Sequence, residues 1–149
     1  MASTTFSGPV TSTNGFIGAL TGNIAGTGRT THATTSAINA TATATAAEVA
    51  TGYITSTSVG TVSITLPTGT LLGAALGAVK GTVFDLYIDN TGGASTVTIV
   101  VAVNGILSTA AADTAGSFGD LTVASGVTGL ARFTLMFSSA TAYVFTRTA

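Results

Sequence analysis

The residues of this chain that could support acid–base or metal chemistry are few and far apart. His32 is the only histidine, it has no carboxylate near it in the sequence, and the chain has no cysteine. A multi-histidine or thiolate metal site and a histidine-centred relay are therefore not indicated. Asp85 and Asp89 share one face of a predicted strand but lie about 13 Å apart, too far to share a proton or one metal ion. Asp113 and Asp120 bracket a glycine-containing loop that could hold calcium, although solvated loop carboxylates are the commoner case.

Short catalytic motifs are also missing. Serine is plentiful, but no serine stands in the G-x-S-x-G pattern of a hydrolase nucleophile. The stretch GTGRT, from Gly26, lacks the lysine and the strand-to-helix context of a phosphate-binding loop. We therefore predict a protein that is not an enzyme and that needs no metal and no cofactor.

The composition favours a component of an assembly. Charged residues make up 6% of the chain, against about 25% in typical soluble domains, so its polar groups are mainly hydroxyls and amides. A net charge of −1 gives little repulsion between copies, which is harmless for a subunit packed among its own kind. The four cations are too widely spread to form a phosphate-binding stripe, so we expect no nucleic-acid partner; they are Arg29, Lys80, Arg132 and Arg147.

We expect no membrane partner either. The longest strongly apolar stretch, Leu71 to Val79, is about half as long as the ~20 residues that a membrane helix needs. The opening MASTTFSG has neither the cationic nor the apolar region of a secretion signal.

Residues 1–36 are predicted to form an extended N-terminal arm. Six glycines and Pro9 interrupt this segment, and each weakens any regular helix or strand placed there. Its large apolar residues, which would anchor the arm on a partner, are Phe6, Val10, Phe16, Ile17 and Leu20. The alternative is that the segment folds back on its own domain as loops and edge strands.

Residues 37–149 are predicted to form a β-domain. Val62, Ile64 and Leu66 alternate with hydroxyl residues, which indicates a strand with one buried face. Two hairpins are expected, one joining 81–90 to 95–103 through NTGG and one joining 130–137 to 143–147. The stretch 71–79 could be a short helix or a buried loop, because its glycines oppose its alanines and leucines.

Short strands separated by turn signals predict an all-β fold, an antiparallel β-sandwich or jelly roll. A right-handed solenoid is the rival architecture. We disfavour it, and with it an ice-binding threonine ladder, because no fixed repeat period runs through the chain.

Three segments resemble capsid decoration, or cement, proteins of tailed bacteriophages. They are STTFSGPVTSTNGFIGALTGN, then ITLPTG with GTVFDLYIDNTGG and VTIVVAVNGI, and finally ARFTLMFSSATAYVFT. The resemblance implies a β-rich virion subunit, commonly trimeric, that sits on the outer surface of the head and clamps neighbouring major capsid subunits.

On this hypothesis the arm binds the major capsid protein and tyrosines contribute to a homotrimer interface. The predicted capsid-binding residues are Phe6, Pro9, Val10, Phe16 and Ile17, and the predicted interface residues are Tyr53, Tyr87 and Tyr143. An alternative is a tail, fibre or knob component with a receptor- or glycan-binding role. A major shell subunit is less favoured, because a chain that forms a shell usually needs more residues to cover its area.

Overall fold

A computed structural model describes residues 35–107 and 121–148. The predicted arm, apart from its last two residues, and the loop with Asp113 and Asp120 lie outside the described residues. The described parts contain ten strands, two α-helices and one 3-10 turn. In chain order they are β1 (Ser36–Ala37), β2 (Ala42–Thr43), α1 (Ala46–Ala50), β3 (Tyr53–Thr55), β4 (Val62–Thr65), α2 (Gly69–Leu76), β5 (Val83–Asp89), β6 (Val97–Val100), β7 (Gly105–Leu107), β8 (Thr122–Val123), the 3-10 turn (Gly126–Thr128), β9 (Leu130–Ser139) and β10 (Ala142–Arg147).

The strands form two mixed sheets, and the chain alternates between them. The six-stranded sheet has the order β1-β3-β5-β9-β10-β7, and the four-stranded sheet has the order β2-β4-β6-β8. Strands β1, β3 and β5 are parallel neighbours in the first sheet, and β2, β4 and β6 are parallel neighbours in the second. Residues 36–100 therefore form three successive pairs of strands, and each pair has one strand in each sheet.

The predicted antiparallel β-sandwich or jelly roll is wrong, because the fold is mixed α/β with parallel pairings. Alternation along a strand shows that one face is buried, but it does not show the direction of the neighbouring strand. The three pairs of strands are also unevenly spaced along the chain, which hides any repeat in the sequence. Ser36 aligns with Ile54, and Ile54 aligns with Ile88, so the interval from the second pair to the third is nearly twice the interval from the first to the second.

One predicted hairpin is wrong and the other is confirmed. Strands β5 and β6 belong to different sheets, so the turn at 90–96 carries the chain across the core instead of back along the same sheet. Strands β9 and β10 do pair antiparallel, from Ala142 opposite Ser139 to Arg147 opposite Phe133. The alternation at Val62, Ile64 and Leu66 is confirmed as well, since all three side chains are buried.

Each helix occupies a connection from the four-stranded sheet back to the six-stranded sheet. Helix α1 begins with a capping box, in which Glu48 accepts from the backbone N–H of Thr45 and the Thr45 hydroxyl accepts from the N–H of Glu48. Helix α2 is capped by Thr68 and ends at Gly77, whose φ of 58° is left-handed. The stretch 71–79, which sequence alone left open, is therefore mostly helical.

Two glycines let helix α2 approach the turn between β9 and β10. A Cβ atom at Gly69 would overlap the carbonyl oxygen of Thr141, and one at Gly73 would overlap that of Ala140. Backbone atoms cannot move aside as a flexible side chain can, so both positions require glycine for this packing.

The core between the sheets is built mainly from aromatic and β-branched side chains. Phe133 stacks on Phe145 with ring centroids 4.9 Å apart. Tyr143 is fully buried, and its hydroxyl donates to the carbonyl oxygen of Pro67 at 3.2 Å. The polar end of this tyrosine is therefore satisfied inside the core, as a buried hydroxyl requires.

Asn90 fixes the crossing between the sheets. Its side-chain amide is fully buried and donates to the carbonyl oxygens of Ser95, Val123 and Ala124 at 2.8, 3.2 and 3.0 Å. The sequence pattern predicts only a turn at this residue. The structure shows that it joins the turn after β5 to the end of β8.

Candidate interaction surface

The predicted site residues fall into three groups. Tyr53 and Tyr87 lie directly opposite each other on β3 and β5, where both side chains are half-buried. Tyr143 lies in the core and offers no side-chain surface to a partner. The five predicted capsid-binding residues lie outside the described residues; they are Phe6, Pro9, Val10, Phe16 and Ile17.

Tyr53 and Tyr87 belong to the outer face of the six-stranded sheet. Strand β5 buries Leu86 and Ile88, so alternation turns Asp85, Tyr87 and Asp89 outward. Strand β9 behaves in the same way, with Phe133 and Leu135 buried and the residues between them facing out. We call the outward residues of β3, β5, β9 and β10 the outer face.

The register of β5 and β9 arranges the outer face in four rows. Each row is a pair of residues directly opposite each other, and the rows follow one another along the strands. They are Val83 with Met136, Asp85 with Thr134, Tyr87 with Arg132, and Asp89 with Leu130. The first row is apolar, the last row pairs a carboxylate with a leucine, and the two middle rows are polar, aromatic or charged.

Both carboxylates of the outer face accept hydrogen bonds from neighbouring hydroxyls. The Thr134 hydroxyl donates to Asp85 Oδ1 at 2.6 Å, and the Tyr53 hydroxyl donates to Asp89 Oδ2 at 2.5 Å. Asp89 Oδ1 also accepts from the backbone N–H and the hydroxyl of Thr91, at 2.9 and 2.6 Å. These contacts hold the side chains in place on a rigid strand.

The hydrogen bonds move the pKa values of the Tyr53–Asp89 pair apart. The donors on Thr91 and Tyr53 lower the pKa of Asp89 below its usual value, because they favour the charged carboxylate. The same contact with Asp89, together with burial, raises the pKa of Tyr53. Tyr53 is thus kept protonated as a donor, an arrangement that orders the surface but does not create a nucleophile.

Exposed apolar side chains lie near both ends of the outer face. Val83, Leu130 and Met136 are 54%, 52% and 53% exposed, although each belongs to a regular strand and the chain neighbours of Leu130 and Met136 are buried. Val83 and Met136 lie directly opposite each other and together form a small exposed apolar patch at one end of the outer face, whereas Leu130 lies opposite Asp89 at the other end. None of these three residues was predicted to be part of a site, although the apolar neighbours of Leu130 and Met136 in the alternating β9 segment already indicate that both face outward.

The other sheet presents a different surface. Its outward residues on β4 and β6 include Ser63, Thr65 and Thr98, which are half-buried. The backbone N–H of Ser63 donates to the Thr41 hydroxyl at 3.1 Å. This face therefore consists mainly of short hydroxyl side chains, with the exposed Val100 at one end of β6, and carries no charged residue within strands β2, β4, β6 and β8.

The described residues contain no group of three or more histidine, cysteine or acidic side chains placed to hold a metal ion. Neither described helix is long and apolar enough to cross a membrane. Comparison with known proteins gave no matching family model and no significant match among curated proteins or solved structures.

Proposed function

We propose that this protein is a structural virion component, a decoration or cement protein that binds the outer surface of a phage head and stabilises the shell. The observation that supports this most is the outer face, where ordered tyrosine, aspartate and apolar side chains stand on a rigid sheet. Such a surface is suited to binding a protein, because its side chains lose little conformational freedom on contact. The resemblance of three segments of the sequence to decoration proteins points the same way.

The proposed partner is the major capsid protein, and the proposed contacts come from the N-terminal arm. An extended segment that orders on a partner loses conformational entropy but covers a large surface. Many copies on a repeating lattice also gain avidity that no single contact provides. The low charge of the chain suits this role, because neighbouring copies on a lattice repel each other little.

The proposal is tested by adding purified protein to expanded phage heads that lack it. The full-length variant with Phe6→Ser and Phe16→Ser removes two arm anchors, and Val59→Ser, at a side chain 86% exposed, is the matched control. We expect the wild type and the control to co-sediment with heads and raise their melting temperature. The arm variant should lose both effects while its circular dichroism spectrum stays unchanged.

Failure of the wild type to bind any head at micromolar concentration would count against a decoration role. Equal binding by the arm variant would leave the role in place but would remove the arm from the contact. A tail, fibre or knob location is the alternative, and binding to isolated tails but not to heads would favour it.

A further inference from the structure

We propose that Asn104 is a site of covalent modification, at which the side-chain amide is lost as ammonia and a mixture of aspartate and isoaspartate remains. Three features of the turn between β6 and β7 support this: the backbone conformation of Asn104, the glycine that follows it, and the exposure of its side chain. The chemistry of this turn is independent of the capsid proposal.

Asn104 has a backbone conformation that few side chains accept. Its φ of 64° is left-handed, and among the described residues no other residue except glycine has a positive φ. Glycine adopts this conformation most readily, and asparagine is one of the few other residues that do so often. The carbonyl oxygen of Asn104 accepts from the backbone N–H of Tyr143 at 3.0 Å, which ties the turn to the start of β10. The turn therefore favours asparagine or glycine at position 104.

Position 105 has no room for a side chain. A Cβ atom at Gly105 would lie 2.7 Å from the Tyr143 hydroxyl and 2.6 Å from a methyl group of Val101. Tyr143 is fully buried and its hydroxyl donates to the carbonyl oxygen of Pro67, so it has little freedom to move aside. The packing of the core therefore places a glycine directly after the asparagine.

This pair of residues allows the backbone to attack the side chain. Glycine has no Cβ to obstruct a close approach of its nitrogen to the asparagine carbonyl. The Gly105 nitrogen loses its proton and bonds to Cγ of Asn104, the bond from Cγ to the amide nitrogen breaks, and ammonia leaves. Water then opens the cyclic imide. Opening at Cγ gives aspartate, and opening at the main-chain carbonyl gives isoaspartate, in which the backbone runs through the side chain.

The turn is open to water, and its attacking nitrogen is released by a local opening. Asn104 is exposed, and its neighbour Val103 is 73% exposed. The N–H of Gly105 donates to the carbonyl oxygen of Ala102 at 3.0 Å, and this bond must break before the nitrogen can attack. Exposed turns open locally at a small cost in free energy compared with global unfolding. Folding therefore slows the reaction at Asn104 but does not prevent it.

The other asparagines in the described part of the chain lack this combination. Asn90 is fully buried, and its amide donates to three carbonyl oxygens. Asn39 is exposed, but alanine follows it and its side-chain oxygen accepts from the backbone N–H of Thr57 at 2.8 Å. Both residues serve as internal references for Asn104.

The test is incubation of the purified full chain at neutral and at mildly alkaline pH, followed by tryptic digestion and mass spectrometry with fragmentation. We expect Asn104 to convert at least about tenfold faster than Asn39 and Asn90. The rate should rise with pH, because the attacking nitrogen must lose its proton, and an isoaspartyl methyltransferase should label the product. Asn104→Gly is the matched control, since glycine accepts the left-handed φ and has no amide to lose.

The modification should also weaken the fold. Isoaspartate adds one atom to the main chain directly before β7, where Gly105 aligns with Tyr143. Incubated wild-type protein should therefore melt at a lower temperature than fresh protein, whereas incubated Asn104→Gly should be unchanged.

An Asn104 that keeps its amide as long as Asn90 in the folded chain would overturn the proposal. Rapid conversion of Asn104 in urea, with none in the folded chain, would also overturn it, because the folded turn would then prevent the reaction. Formation of aspartate without isoaspartate would exclude the cyclic route.

Discussion

Replacing Gly73 by alanine has two effects on the free energy of unfolding, and they act in opposite directions. In an isolated helix, alanine is favoured over glycine by about 1 kcal/mol. In this fold the new Cβ would overlap the carbonyl oxygen of Ala140 and lie 3.4 Å from the Phe137 ring. Overpacking against a well-ordered neighbour costs typically about 1–3 kcal/mol, and the upper end applies because the obstacle is backbone. We therefore expect a net loss of about 2 kcal/mol.

Thermal and urea unfolding followed by circular dichroism measure this loss. For a chain of this size, about 2 kcal/mol lowers the melting temperature by about 8 °C. Ala75→Gly in the exposed part of the same helix measures propensity alone and should cost about 1 kcal/mol. Gly60→Ala has open space around the new Cβ and should change the free energy of unfolding by less than about 0.5 kcal/mol. A Gly73→Ala protein as stable as the wild type would refute the close packing of α2 on the β9–β10 turn.

Further substitutions test the interior and the outer face. Asn90→Ala should lower the free energy of unfolding by about 2–4 kcal/mol, because three carbonyl groups, of Ser95, Val123 and Ala124, lose the donor of a fully buried amide; a loss below 1 kcal/mol in urea unfolding would contradict this role. Tyr143→Phe should cost about 1 kcal/mol through the lost hydrogen bond to Pro67, and an unchanged urea midpoint would argue against that bond. Asp89 has a lowered pKa in the folded protein, so its stabilising effect is present above its unfolded pKa, about 3.9, and is lost as the pH falls through the folded value. Asp89→Asn should therefore flatten the acid side of the stability–pH profile, and an identical acid limb in wild type and variant would refute this assignment.

Local patterns predicted the strands better than their arrangement. The hairpin of β9 and β10 follows from two alternating segments joined by a short turn, so neighbouring residues determine it. The parallel order of β1, β3 and β5 depends on contacts between distant segments, and alternation carries no information about strand direction. The turn at 90–96 looked like a hairpin turn because NTGG suits one, but the buried amide of Asn90 directs the chain into the other sheet.

The candidate site was partly predictable for the same reason. Tyr53 and Tyr87 were expected at a contact surface, and they lie side by side on the outer face. Tyr143 was assigned to the same surface by residue type, although it shares a face with Phe145, which is buried. That alternation already placed Tyr143 with the core. The row order of the outer face needs the register of β5 with β9, which no local pattern specifies.

The helix α2 illustrates a balance that sequence alone does not decide. Glycines at 73 and 77 oppose helix formation by propensity, but they serve different purposes in the fold. Gly77 provides the left-handed residue that ends the helix, and Gly73 admits the backbone of a distant turn. Both purposes depend on packing that is distant in sequence, so the stretch could only be left open between helix and loop.

The most direct test of the proposed function is a cryo-electron microscopy reconstruction of the phage particle that carries this protein, at a resolution that traces residues 1–36. We predict density for the two-sheet domain on the outer surface of the head, with the arm lying across neighbouring major capsid subunits. Density confined to the tail or to a vertex fibre would contradict the decoration role and would favour the receptor- or glycan-binding alternative.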